Sequence, residues 1–592
     1  MRSNKKASSI IIFILITVVA LGRIIYIFAF EKSGMHSDEI WSFGLANSYY
    51  EPYIYTDADE TELHNLDEWV SGDLFKNYIT VQEDQRFNYA SVNYNMSKDM
   101  HPPLFFFILH TICSFFPNAY SLWYGFVINI VAFILMMIFA FRLAKLMTNS
   151  DFFALAFIAY FAICDGVLNM FEFVRMYALS TAIFTAFLFY TLRLMKTKEI
   201  KRNVPFIALC VFLGAYTHHF FVIAAGAFAL FVSVYFLCKK KFKVLFINGF
   251  SMLAAVGLSV VIFPATIPHL FSDAGDIYSS TTMPPYWFSI KACIKFCISE
   301  LFGASISPYE TMTSSYIFVA VVLLLAIILP ILFLLRKNEW VIKNIFLFPK
   351  RVFNFLKRRN KTSLCFSLIC LTTTLVVILV VAKTVNVLEM GSYTDRYLFI
   401  IYPALSLSIC YILYELLLSL IRKHKWIPKT LFCLILAVFV VVGTMRNDCR
   451  YLFNQKTENT IEMDEVVKDS NVILVVSRGW TITCYPQYFM NCDKVYATTY
   501  FACDNNAEEV KANIDKLNSD KPVYLVFITG CLYDDYEKPS ELTLDNIDYV
   551  NYGVDKQKML DLFNSFSVTE KFDFLGDDNV FGEQVAIYKL RD

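Results

Sequence analysis

Apolar runs of about 20 residues recur along this chain from residue 8 to residue 443, and a run of that length is what an α-helix needs to cross a hydrocarbon core of roughly 30 Å. Inside such a core every backbone N–H and C=O must be paired within the chain, so runs of this kind can only become helices packed against one another. With 57% hydrophobic and 18% charged residues over 592 positions, the composition is that of a polytopic membrane protein. Residues 445 to 592 return to ordinary soluble composition. Two parts are therefore expected: a helical membrane domain over 1 to 444 and a globular domain over 445 to 592.

Formal net charge is zero, so its distribution carries the information. Lys and Arg concentrate in cytoplasmic loops of membrane proteins. Six basic clusters (Arg2 to Lys6, Arg142/Lys145, Arg193 to Arg202, Lys239 to Lys243, Arg336 to Lys361, Arg422 to Lys429) must then share one side. That holds only if the short apolar segment Pro103 to Phe116 does not cross but lies on the outer surface as a juxtamembrane helix. Eleven spans follow: 8–30, 120–146, 151–170, 174–195, 204–217, 219–238, 244–266, 314–335, 363–383, 396–418 and 427–444. The N-terminus is expected in the cytoplasm, with its first apolar run retained rather than cleaved. The loop 31–119 and the C-terminal domain are expected outside.

The tail reads as α/β. Asn471 to Val476, Pro522 to Thr529 and Gln584 to Leu590 have the look of strands, and Ala507 to Leu517 that of a helix. It holds no GxGxxG and no GxxxxGK[ST], so nucleotide binding has no support. Nothing in the chain points to nucleic acid. Fifteen cysteines show no CxxC pairing, and the five of the tail leave at least one unpaired within the chain.

Polar groups at span ends are costly and so point to function. On the outer side they are Asp38 and Glu39 after the first span, His101 before the surface helix, Arg175 and Tyr177 at one turn with Glu172, His218 and His219 at the next, and Arg396 and Tyr397 with Asp395 at the start of a later span. Such a set suits transfer from a phosphate-linked donor to a hydroxyl or amine. A carboxylate takes the acceptor's proton, while Arg and His⁺ stabilise the charge building on the leaving phosphate. Plainer readings stand beside this one: the acid pair as part of a solvated acidic loop, the arginines as interfacial anchors, the histidines as helix caps. No cofactor is called for. A divalent cation stays open, since the acids with His218 and His219 could supply ligands, although no HExxH spacing exists.

The acid pair after the first span, the HPPLFFF segment (His101 to Phe107), the Arg-x-Tyr turn (Arg175, Tyr177) and DRYLFIIYP (Asp395 to Pro403) together resemble the GT-C membrane glycosyltransferases. Among them the protein O-mannosyltransferases, the lipid A aminoarabinose transferases and their bacterial cell-envelope cousins are the most similar by these marks. The resemblance spans roughly residues 8 to 418. It implies an inverting transfer from a polyprenyl-phosphate sugar on the outer membrane face, with Asp38 as base and Glu39 supporting it; the Lys-, Asn-, Phe- and Ile-rich composition points to a bacterial plasma membrane. Arg175, His101, His218 or Arg396 would then handle donor phosphate, with Tyr177, His219 and Tyr397 beside them as substrate contacts. The acceptor would be a cell-envelope glycan, lipid or protein. The HPP segment lacks the Gly-Lys that follows it in protein mannosyltransferases, which disfavours a protein. Two other classes remain: a transporter or flippase of a lipid-linked saccharide, for which no inverted repeat is visible, and an envelope scaffold acting through its tail.

Overall fold

A computed structural model describes residues 2–57, 64–271, 283–303, 361–388, 390–421, 424, 426–446, 449–453, 463–476, 479–528, 532–533, 554–555, 570–575 and 584–591. The chain divides into two compact units. One comprises Met1–Tyr26, Phe126–Glu172 and Met176–Arg450; the other comprises Ile27–Gly125, Phe173–Arg175 and Tyr451–Asp592.

Among the described residues, eight helices are long and apolar enough to cross a membrane: Ala7–Phe30, Leu122–Thr148, Tyr177–Thr197, His219–Cys238, Phe242–Ile262, Lys361–Thr384, Phe399–Ser419 and Trp426–Thr444. The eleven expected spans resolve differently at two places. The segment 151–170 is a pair, Asp151–Phe161 and Asp165–Glu172, bent by 60°. The segment 204–217 falls in the helix Ile200–Ala215, which at 16 residues with Pro205 inside is shorter than a span needs. The span expected at 314–335, with the basic run after it, lies outside the described residues. The apolar segment after the HPP is the helix Leu104–Ser114, whose 11 residues are too few to cross.

In the helical unit the stretch between the spans expected at 244–266 and 314–335 contains a helix, Tyr286–Phe302. Its buried positions Ser289, Cys293, Phe296, Cys297 and Glu300 recur at the helical spacing of three and four, a period its Pro- and Ser-rich flanks mask. The helix ends at Gly303, where φ is +71° and an added Cβ would stand 2.5 Å from the Gly443 amide nitrogen. Glycine thus serves there both the left-handed cap and a close backbone approach. Arg23, inside the first apolar run, gives Nη1 to the carbonyl of Ile163 at 2.9 Å and is internally paired.

The second unit joins the first loop to the tail through a six-stranded sheet. Its strands are β1 (Trp69–Ser71), β2 (Asn471–Val476), β3 (Lys494–Thr499), β4 (Val523–Ile528), β5 (Glu570–Leu575) and β6 (Gln584–Arg591). The order is β1-β3-β2-β4-β6-β5. β2 runs parallel to both β3 and β4, while β1 and β6 pair antiparallel with β3 and β4. The runs read as strands in the sequence are β2, β4 and β6, and the helix read there is Ala507–Ile514. β2 is buried at all six positions, as befits an inner strand covered on both faces.

β1 comes from the first loop. Trp69 sits opposite Tyr496 with ring centroids 5.6 Å apart, and its indole N–H donates to the carbonyl of Ile514 at 3.3 Å. Thr498 donates its hydroxyl to Asp67 at 2.6 Å. The helix Gly72–Ile79 follows directly, and an added Cβ on Gly72 would lie 2.2 Å from the carbonyl oxygen of Cys492. Backbone cannot yield there as a side chain can. Gly72→Ala is therefore expected to lower stability by about 1–3 kcal/mol, read as a lower melting midpoint of the purified protein. An unchanged midpoint would mean that this loop does not dock on the sheet.

Candidate functional site

The acid pair opens the helix Ser37–Asn47. His36 is its N-cap: Nδ1 accepts the amide N–H of Asp38 at 3.1 Å, and the Glu39 carboxylate accepts the amide of His36 at 2.8 Å. This reciprocal arrangement is a capping box with His in the usual Ser or Thr place. The same Nδ1 lies 3.9 Å from Asp38 Oδ1. Both acids lie in the first turn, where the helix dipole favours negative charge.

The two acids differ sharply in surroundings. The Glu39 side chain is 0% exposed, the Asp38 side chain 19%. Glu39 accepts from Lys32 Nζ at 3.1 Å through both oxygens and from the amide of Val174 at 2.8 Å. Lys32, itself buried, also donates to the carbonyl of Tyr451 at 2.6 Å and lies over the Phe453 ring at 5.5 Å. Ser33 donates its amide to the carbonyl of Leu452 and its hydroxyl to that of Phe453, at 3.0 and 2.8 Å. Phe173 stacks on Tyr451, centroids 4.4 Å apart, and meets the His36 ring edge-on at 5.6 Å. Three stretches far apart in sequence, 32–42, 173–175 and 451–453, thus close around one carboxylate. Burial pushes the Glu39 carboxyl above its ordinary range, against the opposing pull of Lys32 and the two amides.

Arg175 completes the turn. Its Nη1 donates to the carbonyl of Asp38 at 3.0 Å and to the Ser42 hydroxyl at 2.8 Å, and the guanidinium lies over Phe106 at 5.6 Å. Its Nε is buried and meets no acceptor among the described residues. His101 pairs with Asp99, Nδ1 to Oδ2 at 2.7 Å. Burial would raise the Asp99 carboxyl, but His101, Arg175 and the Met100 amide together hold it below its ordinary value.

Asp38, Glu39, His101 and Arg175 belong to one unit; Tyr177, His218, His219, Arg396 and Tyr397 belong to the other. In the second set the Tyr177 ring lies 5.0 Å from that of His218 and 6.2 Å from that of Tyr397. Arg396 gives Nη2 to the Tyr397 hydroxyl at 3.2 Å and stands over its ring at 5.1 Å. His218 also caps the helix His219–Cys238, accepting the amide of Phe220. His219 turns elsewhere, its ring 6.1 Å from that of His269. Among the described residues no group of three or more His, Cys, Asp or Glu is arranged to hold a metal ion.

Several participants escape a reading of the sequence. Lys32 carried a signal: it is the first base after the first span, on a side with 14 acids and four bases between residues 31 and 101, seven positions before the acid it neutralises. Phe173, Val174 and Tyr451 carried none, since they act through backbone groups or packing. Asn169, Glu300 and Arg450 form a further buried polar cluster, in which Asn169 donates to both oxygens of Glu300 at 3.0 Å.

No family model matches the chain, and no curated protein matches its sequence. Among solved structures it is similar to ArnT from Cupriavidus metallidurans bound to undecaprenyl phosphate, at 8% identity and a TM-score of 0.48 over 98% of this chain and 97% of that one. The apo form of that protein gives 8% identity and a TM-score of 0.49 over 98% of each chain. The oligosaccharyltransferase AglB from Archaeoglobus fulgidus, in complex with an inhibitory peptide and a dolichol-phosphate, gives 12% identity and a TM-score of 0.42 over 88% of this chain and 70% of that one.

Removing the charge of Glu39 strands a buried Lys32. Glu39→Gln is expected to cost roughly 3–5 kcal/mol, and Lys32→Met combined with Glu39→Gln to recover a large part of it. Thermal or denaturant melts of the single and double variants measure the difference. Asp99 gives a signed pH dependence: its lowered carboxyl contributes stability that is fully present above the ordinary aspartate value and fades as pH falls through its folded-state value. In Asp99→Asn that acid limb of the melting-midpoint profile should shrink.

Proposed function

We propose that this protein is an integral membrane glycosyltransferase of the GT-C kind. It moves a hexose or pentose from a polyprenyl-phosphate donor to a cell-envelope acceptor, a glycan, lipid or protein, on the outer face of the membrane. The N-terminus is cytoplasmic and the C-terminal region extracytoplasmic. The motif order supports this reading, and so does the sharing of one helix entry by Asp38 and Arg175. Arg175 grips the Asp38 carbonyl at 3.0 Å and leaves the carboxylate partly open to a substrate.

In this mechanism Asp38 accepts the proton of the acceptor hydroxyl or amine as that atom attacks the anomeric carbon. The bond from the anomeric carbon to the phosphate oxygen breaks, and its electron pair leaves on the phosphate. Polyprenyl phosphate and the glycosylated acceptor are the products. Arg175, with a buried Nε to offer, and His101, oriented by Asp99, face the growing phosphate charge. Arg396, Tyr397, Tyr177 and His218 are further donor contacts. Glu39 orients rather than reacts, since its oxygens are taken up by Lys32 and two amides.

The test is transfer by purified protein from a polyprenyl-phosphate sugar, followed as release of polyprenyl phosphate. Asp38→Ala should lower turnover by about 10²-fold or more, within or beyond the range of a lost general base, at an unchanged melting midpoint. Full activity in that variant would remove Asp38 from the role of base, and an inactive wild type across sugar donors would remove the function.

A further inference from the structure

Arg450 is the last residue of the helical unit, and nothing in its sequence setting distinguishes it from an interfacial anchor. Its contacts do. Nη1 stands 3.0 Å from Glu300 Oε1 and 3.2 Å from Asp395 Oδ2, with the guanidinium over the Phe296 ring at 5.3 Å. Both carboxylates are buried, and the arginine side chain is only 11% exposed. Its amide donates to Asn169 Oδ1 at 2.9 Å, while Asn169 gives its own N–H groups to Glu300. An anchor that snorkels keeps its charge in water; this one is drawn in between two acids. Gly166 beside the cluster has no room for a side chain, since a Cβ there would fall 2.6 Å from the Tyr402 ring. The network is thus packed as well as bonded.

Asp395 is the penultimate link. It lies in the 3-10 helix Gly391–Tyr397 directly before Arg396 and Tyr397, the pair in which a guanidinium meets a phenol hydroxyl at 3.2 Å. A 3-10 turn is held by fewer good hydrogen bonds than an α-helix, so what fixes Asp395 fixes the direction in which its two neighbours project. We infer that Arg450 is a positioning residue for donor binding: by clamping Asp395 against Glu300 it sets Arg396 and Tyr397 to receive the phosphate of a polyprenyl-phosphate donor. This rests on the glycosyltransferase reading above and adds to it a residue outside every motif that carries the resemblance.

Arg450→Met alone would leave two buried carboxylates uncompensated and could fail to fold. The informative variant is Arg450→Met with Glu300→Gln, which removes one charge of each sign, compared with Glu300→Gln alone. Both are assayed as full-length protein with a polyprenyl-phosphate sugar donor. The double variant should melt below the wild type but above Arg450→Met alone, raise the donor KM about tenfold and leave kcat within about twofold, the pattern of lost ground-state binding. Glu300→Gln alone, with Arg450 still on Asp395, should raise the donor KM by less than the double variant does. Arg450→Lys in place of Met, on the same Glu300→Gln background, should recover part of the loss, because a single nitrogen makes the contact to Asp395. A folded double variant with an unchanged donor KM overturns the inference, as does one in which kcat falls and KM does not. A wild type that neither binds nor uses the donor instead defeats the glycosyltransferase reading, which separates the two failures.

Discussion

A carboxylate held wholly out of water needs donors on every side, and at Glu39 those donors come from three distant parts of the chain. Lys32 supplies the charge, and the amides of His36 and Val174 supply directed hydrogen bonds. The same lysine reaches on to the carbonyl of Tyr451, so the start of the tail is fixed by the residue that neutralises the acid. Isolated, either charge would be costly at this depth; paired and fully hydrogen-bonded, they define a single arrangement of the backbone around them. Asp38 is the next residue along. Its carbonyl is held by Arg175 and by Ser42, and its carboxylate is the part of the turn left partly exposed.

Two adjacent acids therefore divide the work. Glu39 is architecture: it anchors the helix entry that presents Asp38, and it draws the 173–175 segment in so that Arg175 lies against the same turn. The Asp38 side chain is the more exposed of the two, at 19% against 0%, which fits the proton transfer proposed for it. The same economy recurs in the helical unit, where Asp395 is spent on Arg450 while its neighbours Arg396 and Tyr397 face one another. In both places a buried ion pair holds a stretch of backbone next to a residue proposed above to meet the substrate.

How far this was legible in the sequence follows from which forces act locally. Apolar runs long enough to cross a membrane dictate helices at once, and eight of the expected eleven meet that length among the described residues. The strands β2 and β4 announce themselves as branched apolar runs. β1 does not: three residues in a loop become a strand only because β3 offers them an edge. The acid pair, Arg175 and the Tyr177 group could be named because charge near a membrane is rare and costly. Their division of labour could not, since it is set by Val174, Tyr451 and other backbone donors and acceptors that leave no trace in residue type. Glu300 is hidden for another reason: its helix is flanked by Pro and Ser, which mask its amphipathic period.

As proposed, Asp38 activates the acceptor for direct attack at the anomeric carbon, with no residue of the protein bonded to the sugar along the way. The anomeric configuration of the product, read by NMR from a donor of known configuration, tests this most directly. Inversion is expected from a single displacement assisted by a carboxylate base. Retention, whether by a second displacement through a covalent glycosyl intermediate or by attack from the leaving group's own face, would contradict the role assigned to Asp38.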